Sequence, residues 1–123
     1  MKNISVFDLG WLVGIVEGEG SFSVNKLPRG TYPRFYLYSP DEWVVDKCLR
    51  ITGMGRKYVR PTPPSSNRKT GPSKAHLYGW IVSKAKEVET LYAELYPHLS
   101  PRRQERLLET HSANPSESIT PTD

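Results

Sequence analysis

Three glycines spaced four residues apart, Gly10, Gly14 and Gly18, run through the most apolar segment of this 123-residue chain, and they constrain its fold more than any other feature. Ser5-Val6-Phe7-Asp8 has the Ser-x-x-acid form of a capping box, and apolar residues follow as far as Val16, so a first helix over roughly 6 to 18 is predicted. On that helix the three glycines share one face, and each costs about 1 kcal/mol relative to alanine in a helix interior. A compensating contact is required. Small residues at this spacing ordinarily admit the backbone of another helix at close range. The sequence contains one such helix, so its simplest partner is the same helix of a second copy in a two-fold dimer. The alternative is a neighbouring strand of the same chain packed against the glycines.

The length fits one domain with a modest core, and 37% hydrophobic with 24% charged residues is an ordinary globular balance. Cys48 is the lone cysteine, which excludes an internal disulfide and a multi-cysteine metal site and favours a reducing, intracellular setting. The run Leu9 to Val16 is about half the length needed to cross a bilayer, and the N-terminal residues lack the apolar core of a secretory signal. An intracellular protein, cytoplasmic or organellar, with no membrane partner is expected.

Beyond the first helix, Ser21 to Asn25 and Arg34 to Tyr38 alternate polar and apolar residues around turn residues Pro28, Gly30 and Pro33. This predicts a hairpin with Phe22, Val24, Phe35 and Leu37 on one face. Ser39-Pro40-Asp41-Glu42 reads as a helix start with Ser39 as the cap, and the helix is predicted to reach about Thr52 and stop at Gly53. A second hairpin is expected from Arg56 to Pro61 and Ala75 to Val82, joined by a long Pro/Ser/Gly loop over Thr62 to Lys74. Ser83 is the expected cap of a third helix to Tyr96, and Ser100-Pro101 starts a last helix to about Glu109. The expected fold is therefore α+β, in αββαββα order, with helices on one face of a four-stranded antiparallel sheet and the other face exposed. Residues 1–110 form the domain, and 111–123 are a polar tail expected to be disordered.

Charge is segregated along the chain. From Lys47 to Lys86 there are ten Lys or Arg and no Asp or Glu, and from Gly20 to Pro40 there are Lys26, Arg29 and Arg34, again without an acid. Such segregation favours a polyanionic partner. Strand alternation sets Ser21, Ser23 and Asn25, then Arg34, Tyr36 and Tyr38, then Arg56, Tyr58 and Arg60 opposite the apolar face. A two-stranded ribbon with these side chains suits the major groove of double-stranded DNA, while Arg68, Lys69 and Lys74 on the long loop suit phosphates. In the fourth strand Trp80 and Val82 are expected to face the core, leaving Ala75, Leu77, Gly79 and Ile81 toward DNA. Trp11 and Trp43 are read as packing residues, and the scattered His76, His98 and His111 receive no role.

Glu17 and Glu19 lie at the C-terminal end of the first helix, where the dipole disfavours negative charge. In a dimer held by that helix, carboxylates from both copies would approach the two-fold axis and repel unless cations sat between them. Their oxygens suit Mg²⁺, which can activate water for phosphodiester hydrolysis, and Mn²⁺ or Ca²⁺ could occupy the same sites. Arg102 and Arg103 show the opposite mismatch, as cations in the first turn of the last helix, where a nearby anion would relieve them.

The nine residues Leu12-Val13-Gly14-Ile15-Val16-Glu17-Gly18-Glu19-Gly20, followed by Ser21-Phe22, resemble the LAGLIDADG motif of homing endonucleases, and the resemblance spans roughly residues 7 to 110. It implies a homodimer with Gly10, Val13, Gly14, Glu17 and Gly18 at the interface, a saddle-shaped sheet astride DNA, and a catalytic metal held by Glu19 beside Gly18. The implied activity is Mg²⁺-dependent cleavage of both strands of a pseudo-palindromic site by an intron-encoded hydrolase. Leu99 to Gln104 resembles the family's late basic segment, which makes Arg102 the first candidate for a charge-stabilising residue and Arg103 the second. Two features depart from the common pattern. Both motif acids are Glu where many members have Asp, and the strand-two Gln of many members falls near Leu37 or Tyr38. A non-cleaving DNA-binding protein of the same fold, an RNA-binding intron maturase, and a protein-interaction module are the competing readings.

Overall fold

The computed structural model describes residues 1, 3–61 and 76–111; Arg68, Lys69, Lys74, the rest of the predicted loop and the tail beyond His111 lie outside the described residues. The chain order is α1 (Val6–Glu19), β1 (Gly20–Leu27), β2 (Gly30–Ser39), α2 (Glu42–Thr52), β3 (Arg56–Pro61), β4 (His76–Val82), α3 (Ala85–Leu95), a 3-10 turn (Tyr96–His98) and α4 (Pro101–His111). The Ser5 hydroxyl caps α1 by accepting the Asp8 amide at 3.0 Å. Glu17 and Glu19 belong to the last turn of this helix, which runs one residue beyond the predicted end.

Two helix starts differ from expectation, each for a local reason. Ser39 accepts the amide of Asp41 at 3.0 Å and so shapes the turn, while Asp41 is the cap of α2, accepting the Trp43 amide at 3.0 Å. Glu42 therefore completes no capping box, and its carboxylate pairs with Lys57 of β3. Ser83 does not cap α3; Lys84 holds that position and supplies no side-chain bond. At its other end α2 stops as predicted, with Gly53 in the left-handed conformation at φ +66° and its amide donating to the Leu49 carbonyl.

The strands form one antiparallel sheet in the order β1-β2-β4-β3. One face carries Phe22, Phe35, Leu37, Trp80 and Val82, all buried against Leu12 and Val16 of α1, Val45 and Cys48 of α2, Val88, Leu91 and Leu95 of α3, and Leu107 of α4. Burying each of these large side chains contributes roughly 1.5–3 kcal/mol. Trp80 also pins the entry to β3, because its indole N–H donates to the Met54 carbonyl at 2.8 Å. A side chain on Gly55, at φ +85°, would meet that indole at 2.6 Å. Every helix thus contributes to one core on one side of the sheet, and the opposite face is left without a covering layer among the described residues.

Candidate nucleic-acid interface and carboxylate pair

The strand registers bring the predicted polar set together on the open face. Ser21 stands opposite Tyr36, Ser23 opposite Arg34 and Asn25 opposite Tyr32, while Tyr38 and Tyr58 both stand opposite Gly79. Arg56 pairs with Ile81 and Arg60 with Leu77, so Leu77, Gly79 and Ile81 are on this face as expected, while Ala75, the fourth position expected there, lies outside the described residues. Gly79 has a steric reason to lack a side chain, since a Cβ would lie 2.6 Å from the Tyr38 ring. Tyr38 leans across it toward Arg60, whose guanidinium is 5.7 Å from the ring centroid. Tyr36 stands 5.4 Å from Tyr38, and Arg34 lies over Tyr36 at 5.6 Å, giving a continuous Arg-Tyr-Tyr-Arg array. None of the four strands carries Asp or Glu. Tyr32 belongs to the same face by the alternation that placed Arg34, and the sequence reading omitted it. Lys26 falls on the other alternation at the exposed end of β1, and Arg29 lies in the turn.

Lys57 alternates to the covered side, where it pairs with Glu42 and, at 2.9 Å, with Asp46 of α2. The helices hold the acids that the strands lack, and this lysine ties the two layers.

On α1 the predicted glycine face is open. Among the described residues, a Cβ on Gly10, Gly14 or Gly18 would find no atom within 4 Å, so these glycines do not pack on any of the four described strands. Val13 is half-buried and leans partly on the core. At the N-terminal end, Trp43 is 57% exposed and is not the packing residue expected; it meets Trp11 edge-on, and both rings flank the Lys47 ammonium, at 5.3 and 4.6 Å.

The two carboxylates of the last α1 turn have different surroundings. Glu17 accepts the Ser100 amide at 3.0 Å and the Ser100 hydroxyl at 2.6 Å. These bonds hold its carboxyl below the ordinary value, with Arg103 and Arg102 adding electrostatic support. Glu19 is exposed and makes no hydrogen bond or ion pair to the described residues. Of the two candidate arginines, it is Arg103 that reaches α1. Its Nε and Nη2 groups donate to the Glu17 carbonyl at 3.2 and 2.9 Å, and Nη1 donates to the Gly20 carbonyl at 2.8 Å. Arg102 is exposed.

No family model matches the sequence, and no curated protein does. Solved structures do match. An archaeal intron-encoded homing endonuclease complexed with DNA, I-Vdi141I, aligns with a TM-score of 0.59 and 19% identity over 83% of this chain and 64% of its own. The homing endonuclease I-CvuI, in complex with its target in the presence of Ca, aligns at 0.62 with 14% identity over 83% of this chain and 62% of its own. The LAGLIDADG homing endonuclease I-GzeII, in complex with its DNA target, aligns at 0.63 with 17% identity over 98% of this chain and 41% of its own.

The chain has the LAGLIDADG homing-endonuclease fold. It spans less than two thirds of the length of each of these three structures. Within that fold, Leu12 to Gly20 form the second half of α1 and its junction with β1. Of the positions where the strand-two Gln of many members would fall, Leu37 is buried in the core and Tyr38 stands on the open face. Among the described residues no group of three or more His, Cys, Asp or Glu side chains could hold a metal ion. Glu19 alone supplies free carboxylate oxygens at the motif. These are hard donors of the kind Mg²⁺ takes one or two at a time, completing its shell with water and phosphate oxygens. The donor set fits a metal shared with further ligands, not a cage within one chain. No described helix is long and apolar enough to cross a membrane.

Proposed function

We propose that this chain is one subunit of a homodimeric, divalent-metal-dependent endonuclease that cuts both strands of a pseudo-palindromic DNA site. The observation that carries the reading is the exposed Glu19 at the junction of two elements of a LAGLIDADG fold, α1 with its open glycine face and β1 of the carboxylate-free basic sheet. Two copies joined through Gly10, Gly14 and Gly18 would bring a Glu19 from each chain toward the axis and place the two open sheets side by side. When bound there, a divalent ion, Mg²⁺ or in its place Mn²⁺ or Ca²⁺, would supply Lewis acidity toward water and the leaving oxygen. The residues of the chain do the rest. Glu19 and the Gly18 backbone would hold the ion, Arg34, Tyr36, Tyr38 and Arg60 would meet the duplex with Arg56 beside them, and Lys26 and Arg29 would add positive charge at the β1–β2 end of the sheet.

The test is incubation of the full chain with a randomised duplex library in Mg²⁺ and in Ca²⁺, sequencing bound and cut molecules, beside a Glu19→Gln control. Two-fold-related sites cut in Mg²⁺ and spared by Glu19→Gln are expected. A second reading, a DNA-binding protein that does not cut, is favoured by the Leu37 and Tyr38 positions, where no Gln side chain stands. Selective binding without cutting in either metal would establish it.

A further inference from the structure

The two electrostatic mismatches visible in the sequence resolve each other. Glu17, at the unfavourable C-terminal end of α1, sends its carboxylate to the Ser100 amide and hydroxyl at the N-terminal end of α4, where negative charge is favoured. Arg103, at the unfavourable N-terminal end of α4, sends its guanidinium to the last carbonyls of α1, where positive charge is favoured. The contact joins positions 83 to 86 residues apart in the chain.

We propose that Glu17 and Arg103 form a reciprocal clamp that fixes the segment carrying Glu19, which makes Arg103 a positioning residue and not a charge stabiliser at the scissile phosphate. This inference rests on the reading of Glu19 as the metal-binding carboxylate. The two carbonyls held by the one planar guanidinium belong to Glu17 and Gly20, and they bracket Gly18 and Glu19. On the inner side the same segment is closed by Gly20, whose added Cβ would lie 2.9 Å from both the Phe35 ring and the Val16 carbonyl. The Phe22 ring lies beneath the guanidinium at 6.0 Å. Three of the five N–H groups of Arg103, at least one from each nitrogen, are thereby committed within the chain. A lysine has the charge but not the rigid fork, so it cannot span both carbonyls. The clamp also divides the labour of the motif, since Glu17 is consumed in holding α4 and Glu19 is left free on a backbone that cannot swing.

The test uses the full chain with Arg103→Lys and, as control, Arg102→Lys, and reads backbone amide exchange by NMR without DNA or metal. In Arg103→Lys the amides of Gly18, Glu19 and Gly20 are expected to lose about tenfold in protection relative to those of Trp80 and Val82 in β4, the scale of one charge-assisted hydrogen bond. Arg102→Lys should leave all of them unchanged. In parallel, single-turnover cleavage in Mg²⁺ at saturating DNA should fall with Arg103→Lys while DNA affinity in Ca²⁺ stays constant. Unchanged exchange at the end of α1, or an equal loss throughout β4, would overturn the clamp, whatever happens to cleavage. If the unsubstituted chain cuts no DNA, the endonuclease reading fails while the exchange data still decide the clamp.

Discussion

The molecule presents two uncovered surfaces that differ in almost every chemical respect. The outer face of α1 is small, apolar and nearly uncharged, with Gly10, Gly14 and Gly18 open and Val6 and Phe7 88% and 80% exposed. The open face of the sheet is cationic and aromatic, with Arg34, Arg56 and Arg60 among tyrosines and no carboxylate on any strand. An apolar, glycine-lined helix gains from excluding water against a matching surface, whereas arginines beside tyrosine rings gain from phosphates and base edges. Exposure alone would class both as solvent surface. Their chemistry suits them to different partners, and Glu19 ends α1 directly before β1 begins.

Substitutions on each surface should therefore separate the functions. The largest effect is expected at their junction, where Glu19→Gln should cut the cleavage rate on the order of 10³-fold or more while leaving DNA affinity in Ca²⁺ within a few-fold, measured by single-turnover kinetics and equilibrium binding. On the sheet, Arg34→Ala or Arg60→Ala should cost about 1–3 kcal/mol of DNA affinity at a selected site, without changing the sedimentation of the free protein. Binding titrations over a range of salt should show a shallower slope, by roughly one, for any arginine that contacts phosphate.

On α1 it is the sign that is informative. Gly14→Ala should stabilise an isolated chain by about 1 kcal/mol, because its Cβ meets nothing, but should destabilise a dimer whose helices touch there. Thermal unfolding across a range of protein concentrations distinguishes the two. The smallest effect concerns the clamp. The folded-state carboxyl of Glu17 titrates below its ordinary value, so the stability it contributes is present above the ordinary carboxylate range and is lost as pH falls toward the lowered value. The stability difference between the unsubstituted chain and Ser100→Ala should accordingly be largest near neutrality and shrink as the solution is acidified.

Much of this was legible from sequence wherever the signal was periodic. Alternation placed Ser21, Ser23 and Asn25, then Arg34, Tyr36 and Tyr38, then Arg56, Tyr58 and Arg60 on one face, because a strand sends successive side chains to opposite sides. The same logic put Trp80 and Val82 in the core and Gly79 on the open face. Helix starts were harder. Ser39 and Ser83 are both good capping residues, yet Ser39 turned its hydroxyl to the Asp41 amide and Ser83 lies one residue outside the cap. The destination of a long side chain was hidden altogether. That Arg103 reaches the end of α1 depends on α4 packing against β1 and β2, and the contact joins residues 86 apart. The sequence signal was the pair of dipole mismatches, which pointed to unmet charge at both helix ends without showing that the two would meet. Trp43 illustrates the converse, an aromatic assigned to packing that stands exposed beside Lys47.

The central claim is that the glycine face of α1 receives a second copy and so brings two Glu19 residues to one DNA site. Native mass spectrometry of the full chain on its selected duplex in Ca²⁺ tests this most directly. The account predicts two chains per duplex on a two-fold-related sequence, reduced to weak or single-chain binding by Gly14→Leu. One chain per duplex on an asymmetric sequence, unaffected by Gly14→Leu, would contradict it.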